Sequence, residues 1–223
     1  KFFMEIVIIR NKKHMTFLHK PNQKLIEASK IISEKKSYLS VTGLTGKESA
    51  EGLLEWRKRV GDEVADRMMR EGAERGTTIH KFCETYLQNE PILIPENKIS
   101  EYYTFKAMKP ELNNLNNIWG LEIPMWSDEY RLKGRCDCIA EYKTDLAMID
   151  FKTSKKPKKR EWLGVYFVQA TAYVQMVKEQ TGIDIKNIIL MFGITNYNQC
   201  TIIQDKPENH IKELNRMNNE FNK

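Results

Sequence analysis

Two carboxylates and an amine lie close together in the middle of this 223-residue chain. Asp150 and Lys152 alternate in the run 146–152, and Asp137 sits in the run before it, 130–142. Side chains two apart in a strand project from one face. Asp150 and Lys152 therefore share a face with Leu146 and Met148, while Ala147, Ile149 and Phe151 take the other. In the earlier run Leu132, Cys136, Cys138 and Ala140 fall on one side, and Arg131, Lys133, Arg135, Asp137 and Glu141 on the other; Ile139 breaks the alternation. Period two marks half-buried strands, and Lys143, Thr144 and Asp145 form the turn that joins them into a hairpin. If pairing superposes the two polar faces, two carboxylates and one ammonium converge. Carboxylate oxygens make a hard site for Mg²⁺ or Mn²⁺. Such a cation polarises a phosphoryl oxygen and lowers the pKa of a water, and a lysine beside it orients that water or balances developing charge. A lone D-x-K tripeptide is common and by itself reads as a solvated hairpin face.

Other polar residues fall where such a site needs them. His80 stands in RGTTIHKFCE, a helix expected to begin after a glycine break at residues 72–76, with Thr77 or Thr78 near its N-cap. It lies in the first turn beside Ile79, Phe82, Cys83 and Tyr86, either as a boundary histidine bonded to backbone or as a metal or phosphate ligand; Glu84 shares its face. Glu122 interrupts the apolar run 118–126, where Pro124 suggests an edge position; it is either solvated there or recruited to the cation. Lys155, Lys156, Lys158, Lys159 and Arg160 crowd a loop marked by Pro157. That loop is either a solvated basic stretch or, as its place directly after the Asp-Phe-Lys run favours, a contact for phosphates. Gln169 and Tyr173, four apart on a helix over 161–180, are either a surface and a core residue or a polar pair reaching a bound strand. Arg75 joins the expected nucleic-acid contacts.

The elements that must position these residues follow from periodicity and punctuation. A strand over 3–9, a helix over 24–35 and a helical stretch over 47–87 come first. The last carries an apolar stripe of Leu53, Leu54, Trp56, Val60, Val64 and Met68. A helix over 99–109 is interrupted by Pro110. The helix over 161–180 buries Trp162, Val165, Val168, Ala172, Met176 and Val177 and ends at Gly182. Residues 187–195 form a strand apolar enough to be buried on both faces, 199–204 can pair with it, and 210–221 close the chain as an amphipathic helix. The expectation is one α/β domain over 1–223: a helical N-terminal lobe over about 24–117, a catalytic sheet core over about 118–204 and a C-terminal helix over 207–222.

Composition sets outer bounds. The net charge is +6, a modest basic excess that suits nucleic acid or an acidic surface. No apolar run approaches the length of a membrane span, and the opening KFFMEIVIIR lacks the small-residue cleavage site of a signal peptide. The four cysteines, Cys83, Cys136, Cys138 and Cys200, include no CxxC pair, which argues against a zinc ribbon. Cys136 and Cys138 read as core residues on a shared face, reduced and in an intracellular setting. Richness in Asn, Lys and Ile points to an AT-rich genome, of a phage, a bacterium or an organelle. The absence of a glycine-rich phosphate loop argues against ATP hydrolysis.

Taken together, His80 in RGTTIHKFCE, Asp137 in GRCD, Asp150 and Lys152 in IDFKTS, and Gln169 and Tyr173 in QATAY resemble the PD-(D/E)XK nuclease superfamily, in its RecB-like exonuclease branch. The order SVTGLTG, LLEWRKR, RGTTIHKF, MIDFKTSKKPK is similar to the mitochondrial genome maintenance exonuclease type, over residues 38–195. This resemblance implies a restriction-endonuclease-like mixed central sheet flanked by helices. It implies metal-assisted phosphodiester hydrolysis with one or two Mg²⁺ or Mn²⁺ ions. His80, Asp137, Asp150 and the carbonyl of Phe151 would be ligands, Lys152 the catalytic amine, and Glu122 a further catalytic acid. Gln169 and Tyr173 would touch DNA near the cut, and the N-terminal helices would form an arch admitting one free-ended strand, with Trp56 either stacking on bases or in the core. The expected substrate is DNA, single-stranded rather than duplex, in replication, recombination or repair. A protein partner from those processes is possible on this reading, and no membrane is. Cys136 replaces the usual proline before the first Asp, and the cysteine spacing of an iron–sulfur cluster is missing, so no cluster is expected. The implied compartment is a bacterial or phage-infected cytoplasm, with the mitochondrial matrix as an alternative. The rivals are a structure-specific endonuclease on the same fold, a DNA-binding module without catalysis, and a subunit active only within a complex.

Overall fold

A six-stranded mixed sheet with helices on both faces organises the protein, in a computed structural model that describes residues 17–221. The strand expected over 3–9 lies outside the described residues. Strands β2 (Leu115–Ser127), β3 (Leu132–Tyr142) and β4 (Asp145–Ser154) form an antiparallel meander; β5 (Asn187–Ile194) runs parallel to β4, and β6 (Gln199–Asp205) antiparallel to β5. The β3–β4 turn is tight, Tyr142 pairing with Asp145, and Lys143 supplies the positive φ (61°) that two-residue hairpin turns require. The short β1 (Leu39–Ser40) pairs in parallel with Leu132 and Lys133 at the start of β3. Since β2 occupies the whole of one edge of β3, β1 and β4 must share the other. Pairing with β4 begins only at Cys138, so residues 134–137 face a gap.

Two cores fill the faces. On one side α1 (Gln23–Lys30), α2 (Val41–Glu48), α6 (Gly164–Thr181) and α7 (Ile211–Phe221) meet Met148, Ile188, Leu190 and Phe192. On the other, the second half of α4 (Asp62–Leu87) and α5 (Ile99–Leu112) pack on Ala147, Ile149, Phe151, Ile189 and Met191. The alternation of β4 and β5 between the cores is the period-two pattern read from the sequence. In β3 the pattern changes hand: Cys136 packs with the first core and Cys138 with the second. The expectation that the two thiols share a face is therefore corrected. The reason lies in β2, where Glu122 adopts a left-handed φ of 48° between the pairs Leu121↔Cys138 and Ile123↔Cys136, so the regular pleat is interrupted opposite Asp137.

The helices also depart from the expected boundaries. The glycine break falls at Gly61, whose φ of 86° ends α3 (Ala50–Val60). Gly72 and Gly76 lie inside α4, which runs for 26 residues without interruption. A helix interior tolerates glycine at a cost of only about 1 kcal/mol each, and a β-carbon at Gly76 would stand 3.6 Å from Thr153 Oγ1, so the helix lies close against the end of β4. Thr77 and Thr78 are thus mid-helix, and His80 does not sit in a first turn. Pro110 falls in the last turn of α5, which continues to Leu112, so the hydrogen bond that the proline cannot donate is lost near the helix end and not in its middle. The apolar stripe of α3 is not core: α3 buries no residue, Trp56 is half-buried, and Leu53, Leu54, Met68 and Met69 are exposed. Trp162 precedes α6 in a 3₁₀ turn over Arg160–Trp162 and is 61% exposed, not buried.

Candidate active site

The gap along β3 is where the chemistry-bearing residues meet. Asp137 is the last residue before β3 joins β4, and its Oδ2 accepts the Phe151 backbone N–H at 2.7 Å. A carboxylate thus takes over where a ladder bond would continue. From α4, His80 places Nδ1 3.4 Å from the other oxygen of Asp137, its ring edge-on to Phe151. From β2, the left-handed turn of backbone at Glu122 directs its carboxylate to the same place; ligand atoms of His80, Glu122 and Asp137 all lie within 4.8 Å of one another. Non-glycine residues in this region of φ store strain, and such strain clusters at functional sites. A cavity of about 420 Å³ opens over the three, walled on the α4 side by Gly76, Thr77, Lys81 and Glu84.

Asp150 and Lys152 stand beside this group on the α6 side. Lys152 Nζ lies 2.5 Å from Asp150 Oδ2, 3.4 Å from the Gln169 Oε1 that accepts from it, and 5.3 Å from the centre of the Tyr166 ring. Asp150 is 2% exposed. Its Oδ2 is the oxygen that faces the ammonium.

Burial and mutual charge set the protonation of the group. Burial pushes Asp150 up to about 6 against the pull of Lys152. Glu122 is also raised, by burial first and the facing Asp137 second. Burial opposes the charge on Asp137, but contact with His80, the charge of Lys152 and the Phe151 N–H hold its carboxyl below the ordinary range. His80 is raised because Asp137 outweighs burial. Burial likewise works against the Lys152 ammonium, and Asp150 and Asp137 more than offset it. Carboxylates crowded this way repel one another until a cation enters, and the nitrogen and oxygen donors suit a hard divalent ion.

The site therefore differs in grouping from the sequence expectation. His80, Asp137 and Glu122 form the tight trio, and Asp150 sits beside it with Lys152. The reason is the sheet: His80 arrives from the α4 face, whereas Asp150 shares the Met148 face under α6. Phe151 contributes its N–H to Asp137, an interaction that the sequence reading did not include. Gln169 reaches Lys152 as a polar residue of the site. Tyr173, expected to reach a bound strand, is 2% exposed and packs beneath Gly134, where a β-carbon would come within 2.7 Å of its ring; burial corrects that expectation. Lys155, Lys156, Lys158 and Lys159 are exposed as expected. Arg160 is exposed but tied to Asp205 Oδ2 at 2.7 Å and to the Gln204 carbonyl. Arg75 is half-buried, its Nε without a hydrogen bond. Tyr166 was missed, although its three-residue spacing from Gln169 puts it on the same helix face.

A family model described as the PD-(D/E)XK nuclease superfamily matches residues 44–216. The chain belongs to this superfamily. PD-(D/E)XK nucleases use divalent metal ions, and the trio at residues 80, 122 and 137 is a candidate site for one. The chain is 26% identical over 110 residues to mitochondrial genome maintenance exonuclease 1 of Mus musculus and 29% identical over 113 residues to that of Homo sapiens. Each match takes in 48% of this chain, and spans 32% and 33% of those relatives. The crystal structure of SSO0001 superposes on 89% of this chain and 84% of its own, at a TM-score of 0.46 and 14% identity. Among the described residues no helix is long and apolar enough to cross a membrane.

Proposed function

We propose that the chain is a divalent-metal-dependent DNA exonuclease that hydrolyses phosphodiester bonds of single-stranded DNA from a free end, in replication, recombination or repair. The observation that carries this reading is the convergence of His80, Glu122 and Asp137 beside the Asp150–Lys152 pair, in a chain of a nuclease superfamily. His80, Glu122, Asp137 and Asp150, with the carbonyl of Phe151, would hold Mg²⁺ or Mn²⁺. That ion, when bound, supplies polarisation of a phosphoryl oxygen and a water of lowered pKa. The chain's own residues do the rest. Asp150 and Gln169 hold the Lys152 ammonium, charged, where negative charge grows on the phosphoryl oxygens. The Phe151 N–H fixes the Asp137 carboxylate, so the site is organised before substrate arrives. Lys155, Lys156, Lys158, Lys159 and Arg75 attract the phosphate backbone, Arg160 less so because Asp205 engages it. The names of the two exonuclease relatives support the preference for an end. The exposed apolar stripe of α3 and α4 supports an arch for a threaded strand.

The test is degradation of one end-labelled single-stranded DNA, linear and circularised, with Mg²⁺, Mn²⁺ or EDTA. Loss of the linear form only, with either metal, is the expected result, and Lys152→Ala lowers it by roughly 10²–10³-fold. Efficient cutting of circles would replace this reading with an endonuclease. No cutting of any DNA by the wild type would leave a binding module or a subunit that needs its complex.

A further inference from the structure

The loop that leads away from Lys152 carries aromatic rings as well as charge, and the rings are arranged outward from the site. Tyr166, half-buried and packed edge-on against Phe192, lies between two ammoniums, with Lys152 Nζ 5.3 Å and Lys158 Nζ 5.5 Å from its centre. Farther out, Lys159 Nζ lies 5.4 Å from the Trp162 ring, and Trp162 is 61% exposed. A large indole left in water is unfavourable by roughly 25 cal/mol per Å² of apolar surface, which a flat partner would cover. Lysines over aromatic faces are attracted by the ring quadrupole, but exposed lysines also pair with phosphates. A strand that brings both phosphates and bases satisfies the two kinds of group at once. A duplex hides its base faces in the stack, so only an unpaired strand offers them.

We propose that Trp162 and Tyr166, with Lys158 and Lys159, form a stacking track for single-stranded DNA leading to Lys152. Trp162 takes the face of a base outside the cleavage site, and Lys158 and Lys159 hold the phosphates on either side of it. The track rests on the reading of the site as a DNA nuclease, but it is tested by binding alone.

The experiment measures affinity of the full chain in EDTA, where no cutting occurs, for oligo-thymidylate, for an abasic strand of equal length and for a blunt duplex. Stacking contributes about 1–3 kcal/mol per base, so Trp162→Ala weakens oligo-thymidylate binding by roughly 5–150-fold and leaves the abasic strand and the duplex almost unchanged. Trp162→Phe restores most of the loss. Lys158→Ala or Lys159→Ala weakens both single strands alike and reduces the salt slope by about 0.7 for each phosphate no longer neutralised. Equal affinity of Trp162→Ala and wild type for oligo-thymidylate overturns the track, as does an equal loss on the abasic strand. Either result leaves the cleavage test standing. A wild type that cuts no DNA, yet binds oligo-thymidylate through Trp162, would overturn the stand-alone exonuclease reading and keep the track.

Discussion

Glu122 carries two burdens, and substitutions separate them. Its φ of 48° puts an L residue in the left-handed region, at about 1–2 kcal/mol. Its carboxylate faces Asp137, and burial with that neighbour raises its pKa. Glu122→Gly removes both burdens. The relief of φ is offset by the greater freedom that glycine loses on folding, about 0.5–1 kcal/mol. The backbone part alone therefore leaves a net gain on the order of 0.5–1 kcal/mol. Glu122→Gln keeps the strained backbone and removes only the charge. The sign follows from the raised folded pKa. Above it, the ionised carboxylate is disfavoured in the folded protein, so Gln is stabilising near neutral pH, and the advantage fades as the pH falls through the raised folded value and is gone below the unfolded value of about 4.5. Urea denaturation in EDTA should thus rank the midpoints Gly above Gln above wild type, with Gly melting roughly 1–4 °C above Gln. In Mn²⁺ the order should reverse, because wild type alone has the full ligand trio. A Gly variant less stable than wild type in EDTA would refute the claim that strain and repulsion are stored here for the ion.

Three further outcomes are expected. Mn²⁺ at about 100 times its Kd should stabilise the wild type by about 2.7 kcal/mol, a rise of roughly 5–11 °C in melting temperature, and Asp137→Asn should lose that rise; an unchanged shift in the variant would remove Asp137 from the ion. Gly134→Ala drives a β-carbon to 2.7 Å from the buried Tyr173 ring, and overpacking of this kind costs about 1–3 kcal/mol; a denaturation midpoint equal to wild type would show that the ring yields freely. Burial works to raise Asp205, but Asn209, the Lys206 N–H and His210 hold it below its ordinary value, so its contribution is present above about pH 3.8 and is lost as pH falls through the lower folded value. Asp205→Asn should cost about 1–2 kcal/mol at neutral pH and less in acid; a loss independent of pH would contradict this.

The hairpin was legible because period two and a two-residue turn are local signals, and they carried Asp150 and Lys152 to one face without further information. His80 was legible as a residue type but not in its position, because Gly72 and Gly76 read as a break and only contact with β4 makes close packing at Gly76 worthwhile. Glu122 was legible as a candidate acid, but whether it was solvated or recruited to the site stayed open for a different reason. Its convergence with His80 depends on one backbone dihedral and on a cross-strand register, and neither leaves a mark in composition or spacing. The same irregularity placed Cys136 and Cys138 in different cores. Trp162 was misread because helical periodicity was extended three residues too far, into a 3₁₀ turn that faces water.

One uninterrupted helix joins two parts of the molecule that the sequence seemed to separate. The α4 rod is about 39 Å long at 1.5 Å per residue. Its far end carries the exposed Met68 and Met69, and its near half, bearing His80, is anchored in the core through Ile79, Phe82 and Cys83. A break at Gly72–Gly76 would have acted as a joint and insulated one end from the other. Without it, the helix is a lever with the imidazole of the candidate metal site near its fulcrum. A load applied to the outer end would be transmitted along this one rigid element toward the site, with no joint between to absorb it.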